Sequence, residues 1–247
     1  TSAFDVSLKA LATQIIHATR ARDFESAATG CVFYGINGLL QSREMSTLRR
    51  ELAGSLESLE QPGSITGMNL ASFIQRIIGS LLGEADESQA SDAKQLPISN
   101  PSDVFAFAVV YVLRTWYAVM FNDFKGAAAT LELAGQHVQA LASSPLLMIH
   151  QLCASIVKLR NKDADASRIA RRHLKSLDRA QRNGSRLASS KRLLVEAELA
   201  WFEGRTSEAL EAWEKAAEEA RRAGLAADEA LAYELAARAC EDRGRTD

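Results

Sequence analysis

Three segments of the chain superimpose on a single alanine, and their spacing limits what the chain can fold into. They are Arg22-Asp23-Phe24-Glu25-Ser26-Ala27, Asn122-Asp123-Phe124-Lys125-Gly126-Ala127 and Gly204-Arg205-Thr206-Ser207-Glu208-Ala209. Four residues after each alanine stands Cys31, Leu131 or Trp213, and seven after it Tyr34, Ala134 or Ala216. Each segment therefore reads as a short turn followed by a helix with one apolar face. Ala127 to Ala209 is 82 residues, two units of 41, and Gly204 to Gly244 is 40. A helix pair of that length cannot cover its own hydrophobic face, so pairs must stack on one another.

Apolar residues recur at helical spacing along almost the whole chain. They predict about eleven helices, over 5–21, 23–41, 43–60, 66–82, 102–121, 123–142, 145–160, 165–182, 187–203, 206–223 and 226–243. Only 4 residues are proline, and Val, Ile and Thr do not gather into alternating runs, which disfavours sheets. Asp23, Ser102, Asp123 and Asp165 are expected to cap helix starts, and Ser144 to do so ahead of Pro145. Gly83, Gly184 and Gly224 stand where a left-handed residue ends a helix. Small residues belong where hairpin helices cross: Ala197 and Ala200 against Ala209 and Ala216, with Leu193, Leu194, Leu210 and Trp213 filling between pairs. The expected fold is all-α: a right-handed α-solenoid of antiparallel helix pairs, repeating about every 40 residues. It comprises N-terminal helical repeats over 1–83, an acidic loop with two prolines over 84–101, and C-terminal helical repeats over 102–247, in one continuous solenoid.

The last repeats carry a likeness. Arg192–Glu219 resembles a tetratricopeptide hairpin, with Gly204 at the turn, Ala209 and Ala216 as the small residues and Trp213 as the aromatic. The usual closing proline is missing and the unit is longer. Trp213–Gly224 (TrpGluLysAlaAlaGluGluAlaArgArgAlaGly) and Asp228–Ala239 (AspGluAlaLeuAlaTyrGluLeuAlaAlaArgAla), with the Asp242-Arg243-Gly244 turn, are similar to the repeat region of large signalling proteins. Those proteins fuse a serine/threonine kinase-like domain and a STAND-type ATPase to helical repeats and a sensor histidine kinase. Tyr111-Val112-Leu113-Arg114 and Asn122-Asp123-Phe124 share the likeness. It implies a regulatory repeat arm beside an ATPase switch, with no chemistry of its own. The ends, Thr1-Ser2-Ala3-Phe4 and Gly244-Arg245-Thr246-Asp247, read as those of a piece of a longer protein.

No phosphate-binding GxxxxGK[ST] run, kinase catalytic loop or histidine-kinase phospho-acceptor box occurs. His150 and Cys153 are three apart on one helix and would make half a metal site, with no second half visible. Cys31, Cys153 and Cys240 read as buried, reduced thiols, which suits a cytoplasmic setting. The longest apolar stretch, Val104 to Leu113, is about half of the ~20 residues a spanning helix needs. No catalytic, metal or cofactor residue is expected, and no membrane partner.

Charge is unevenly spread although the net charge is only −2. Lys158 to Arg192 holds twelve Lys/Arg and three Asp; Glu196 to Glu229 holds ten acids and four bases. Arg168, Arg172, Lys175, Arg179 and Arg182 fall on one helical stripe, beside a buried one of Ile169, His173, Leu177 and Ala180. Two solvated faces that attract each other account for this blandly. The sharper reading is a basic patch for an acidic protein. Nucleic acid is disfavoured because no aromatics interleave with the arginines. Arg114 and Tyr117, beside Tyr111 and Trp116, could instead floor a ligand groove, with ordinary core as the alternative. The expected function is a non-enzymatic regulatory or interaction repeat domain of a signal-transduction protein. A freestanding peptide-binding adaptor and a small-molecule effector arm are the alternatives.

Overall fold

The computed structural model describes residues 3–41, 43–59, 65–84, 98, 100–142, 144–242 and 244. Among them every regular element is a helix and there is no strand. In chain order these are α1 (Ala3–Arg20), α2 (Phe24–Leu40), α3 (Met45–Glu57), α4 (Ile65–Leu81), α5 (Val104–Met120), α6 (Phe124–His137), α7 (Leu146–Arg160), α8 (Ala166–Arg182), α9 (Arg186–Phe202), α10 (Thr206–Ala223) and α11 (Ala226–Asp242). The span expected over 123–142 is α-helical only to His137. It then tightens to a 3-10 turn, Val138–Leu141, that buries Leu141 completely. Of the acidic segment expected over 84–101, residues 85–97 and 99 lie outside the described residues.

The turns explain why one short sequence pattern recurs. Arg22, Asn122 and Gly204, aligned from sequence, all have left-handed backbone, with φ of 58°, 59° and 79°. The next amide reaches back five residues each time: Asp23 to the Ala18 carbonyl at 2.9 Å, Asp123 to Ala118 at 2.9 Å, Arg205 to Ala200 at 2.9 Å. This closure satisfies helix-end carbonyls that otherwise lack partners. Lys162, with φ 58°, makes the same turn before Asp163, whose amide donates to Lys158 at 3.0 Å. The left-handed conformation is unusual for arginine and lysine, so the flanking helices hold it in place. Gly83, Gly184 and Gly224 are left-handed as expected. The alanines that align the segments are all fully buried, as are Cys31 and Ala216; Trp213 is nearly so.

Most caps follow the sequence. Asp23 Oδ1 accepts from the Ser26 amide at 3.1 Å and Asp123 Oδ1 from Gly126 at 2.9 Å. Ser144 Oγ accepts from the Leu146 amide at 3.2 Å, with the helix starting just after Pro145. Two expectations are corrected. Helix α5 starts at Val104, so its cap is Asp103, which accepts from Ala106 at 2.9 Å; Ser102 instead donates its amide to Asn100. Asp165 makes no cap bond, because Lys158 at 3.1 Å and Arg168 at 3.2 Å draw off its carboxylate.

The chain forms two compact units, residues 1–110 and 111–247. The boundary falls inside α5. In the first unit α2 packs on α1, α3 and α4. Three glycines make room for them. A Cβ on Gly30 would stand 2.8 Å from Ile15 Cγ1, on Gly35 2.8 Å from Ile74 Cγ2, and on Gly38 2.5 Å from Leu48 Cδ1. Each lies against a different neighbouring helix. At these places helix propensity has yielded to close approach.

In the second unit α9 packs on α7, α8, α10 and α11, and α7 on α8. Ala197, Ala200, Ala209 and Ala216 are buried, as their expected place at the α9–α10 crossing requires. Two ion pairs link alternate helices through the interior. Arg160 of α7 grips Glu198 of α9 through Nε at 2.6 Å and a terminal nitrogen at 2.7 Å. It also donates to the Leu235 carbonyl of α11 at 3.4 Å and lies over the Phe124 ring. Lys191 of α9 meets Asp228 of α11 at 2.6 Å, joined by the Ser190 hydroxyl at 2.6 Å, with all three buried. The Asn122 side chain, just after α5, donates to Glu234 of α11 at 2.8 Å.

Three stability outcomes follow. Gly35→Ala gains about 1 kcal/mol of helix propensity but overpacks a stiff β-branched neighbour at a cost of about 1–3 kcal/mol, so denaturant melts show net loss. Gly54→Ala, on α3 with no atom within 4 Å of the added carbon, gains about 1 kcal/mol in the same assay. Arg160→Met strands Glu198, which is 1% exposed, and lowers stability by about 3–5 kcal/mol; Arg160→Met with Glu198→Leu recovers most of it.

Candidate functional site

Helix α8 has the sharpest division between faces in the molecule. Ile169, Ala170, His173 and Leu177 are buried, whereas Ala180, expected in the same stripe, is half-buried. The basic stripe lies on the other side, with Arg168, Arg172, Lys175, Arg179 and Arg182 all exposed. Local carboxylates take its two ends: Arg168 meets Asp165 at 3.2 Å and Arg182 meets Asp178 at 2.6 Å. Arg172, Lys175 and Arg179 make no ion pair among the described residues. The acidic run further along engages other cations, Arg160 with Glu198, Arg171 with Glu203 and Lys191 with Asp228. Attraction between the two runs is therefore real, yet it leaves the middle of the stripe unused.

A cleft of about 450 Å³ opens between α6, α7 and α8. Its wall is apolar where Leu131, Val157 and Ile169 line it, and polar at His150, His173 and Arg172. His173 Nδ1 lies 3.0 Å from the Ser155 hydroxyl. Burial first, then the neighbouring His150 and Arg172, lowers His173 from 6.5 to about 4. Burial, with Arg172 second, lowers His150 likewise to about 4. Both imidazoles are therefore neutral across the ordinary pH range. Nδ1 of His150 is buried and has no hydrogen-bond partner among the described residues.

The proposed groove floor is corrected. Arg114 is 4% exposed and Tyr117 7%, and Tyr111 and Trp116 are buried with them, so the alternative of ordinary core holds at all four. Residues from Ala108 to Tyr117 are buried without interruption, and such a helix has no free face to offer a ligand. Cys31 and Cys153 are buried as expected, and burial pushes the first up to about 11 and the second higher still. Neither is poised as a nucleophile. Cys240 departs from expectation in being only half-buried. Among the described residues no group of three or more His, Cys, Asp or Glu is placed to hold a metal ion, and no helix is long and apolar enough to cross a membrane.

Sequence reasoning paired His150 with Cys153; the structure pairs it with His173 on the next helix, across the cleft. It also missed the buried Lys191 and Glu198. Their signal was present, because Lys191, Leu194, Val195 and Glu198 fall at the spacing of one buried stripe. A charge at each end of an apolar stripe needs a partner.

Against known proteins, the chain matches no family model, no curated protein and no solved structure.

The histidines make stability pH-dependent in one direction. Unfolded, they bind protons below about pH 6.5; folded, they do so only below about 4. Their contribution is present above pH 6.5 and is lost as pH falls from 6.5 towards 4. Thermal melts across that window should show a falling midpoint, flattened in His150→Gln/His173→Gln.

Proposed function

We propose that the chain is a non-catalytic regulatory repeat domain that recognises an acidic protein segment along α8. The observation that carries this reading is the exposed row Arg172, Lys175 and Arg179, which no carboxylate among the described residues neutralises. Three like charges on successive turns repel one another, and a matching row of carboxylates relieves that repulsion. The net charge of −2 supports a protein partner over a polyanion, as does the absence of aromatics on the stripe. The stacked helices contribute a rigid face and take no part in chemistry. The recognised segment belongs to another part of a parent chain or to a separate protein in the cytoplasm. The likeness of the last repeats to the arms of STAND-type ATPase and histidine-kinase fusions favours the former, with docking on α8 passed to the switch.

The test is charge reversal at positions that support nothing else. Lys175→Glu/Arg179→Glu keeps the fold, read by circular dichroism. It weakens binding of a fluorescent peptide carrying three glutamates at helical spacing by about tenfold or more at low salt. Wild-type affinity for that peptide falls as salt rises. Equal binding by the reversed protein would show that α8 is only a solvated face.

A further inference from the structure

The cleft between α6, α7 and α8 shares Arg172 with the proposed peptide surface but is not lined by Lys175 or Arg179, and its chemistry is more selective. Its volume, about 450 Å³, falls in the range that accommodates small organic ligands. Three different helices converge on it. Leu131 and Glu132 come from α6, His150 and Val157 from α7, and Ile169 and Arg172 from α8. We propose that this cleft binds a small monocarboxylic acid with an apolar body, its carboxylate held by Arg172 beside the His150 imidazole.

Three observations select that ligand. The first is the orphaned imidazole nitrogen. A buried polar atom without a partner costs about 1–3 kcal/mol, and an occupant with a carboxyl oxygen removes that cost if the His150 ring turns towards the cleft it lines. The second is the charge of the lining. Lys158 is already held by Asp163 and Asp165, each at 3.1 Å, so it has little left to offer. Arg172 remains as an unpaired cation, and Glu132 stands on the opposite helix as a carboxylate with no ion pair among the described residues. One free guanidinium opposite one carboxylate accepts a single negative charge and repels a phosphate dianion. The third is the apolar wall of Leu131, Val157 and Ile169, which takes a hydrocarbon body and gives nothing to a fully polar solute. Neutral His150 and His173 fit the same reading, because both line the cleft without adding charge.

Occupancy also has a structural effect. A ligand touching α6, α7 and α8 bridges consecutive hairpins, and it stabilises their packing by mass action.

Sodium benzoate is the probe, with sodium phosphate in parallel at the same ionic strength. The readout is the imidazole proton resonances of His150 and His173 at pH 7, together with titration calorimetry on the whole chain. Saturable movement of both histidine signals by benzoate, with no saturable movement by phosphate, is expected. Arg172→Gln, an exposed change, weakens benzoate by about tenfold or more, the loss of one charge-assisted hydrogen bond. His150→Leu weakens it as well while leaving the circular dichroism spectrum unchanged. Lys175→Glu/Arg179→Glu weakens peptide binding but leaves benzoate bound, which distinguishes the cleft from the part of the peptide surface it does not share. Absence of saturation, binding indifferent to Arg172→Gln, or phosphate binding as tight as benzoate would each overturn the proposal, the first of them leaving water as the only occupant.

Discussion

At Arg22, Asn122, Gly184, Gly204 and Gly224 the chain reverses direction within two or three residues, and the hairpins built there depend on that reversal. A left-handed residue ends the helix, its neighbour's amide returns five positions to close the last turn, and the next helix starts at once. Because little chain is spent at these turns, α1 lies against α2, α8 against α9, α9 against α10 and α10 against α11. The conformation is held at Arg22, Asn122 and Lys162 without glycine's help. At those sites helix packing supplies what backbone preference withholds, so the turn is as much a product of the stack as its cause.

Short turns set which helices touch, and other contacts set how closely. In the first unit the answer is steric: α2 dispenses with side chains at Gly30, Gly35 and Gly38, and three neighbours come near its backbone. In the second unit it is electrostatic. Arg160 with Glu198 and Lys191 with Asp228 fix alternate helices at defined register, since a buried charge displaced by one turn would lose its partner. A greasy contact tolerates sliding in a way these pairs do not. Alanines between them allow the approach that brings the charges within reach.

The helices and their turns could be read from the sequence because both are local. Periodicity marked every element to within a few residues, and Asp23, Asp123, Gly184 and Gly224 announced their own roles. Errors came where a nearby competitor mattered: Asp165 is taken by Lys158 and Arg168 instead of capping, and the end of α6 tightens to bury Leu141. The basic stripe on α8 was visible because its spacing repeats along one helix. The cleft was not, since His150, Arg172 and Glu132 come from three helices and no spacing relates them. Arg114 and Tyr117 misled for a similar reason. A guanidinium among aromatics has the same composition on a groove floor and in a core, and only the surrounding packing tells them apart.

Repeat arrays in which each unit touches only its neighbours behave like stacks of coins: an end can be removed and the remainder stands. The second unit is tied differently. Asn122 reaches Glu234 across 112 positions, and Arg160 reaches the Leu235 backbone across 75. The last helix is therefore bonded to the start of the unit as well as to its predecessor, which makes the array a clasped bracelet. Shortening it by α11 would open the clasp, taking Glu234 from Asn122 and the Leu235 carbonyl from Arg160, which Glu198 would still hold.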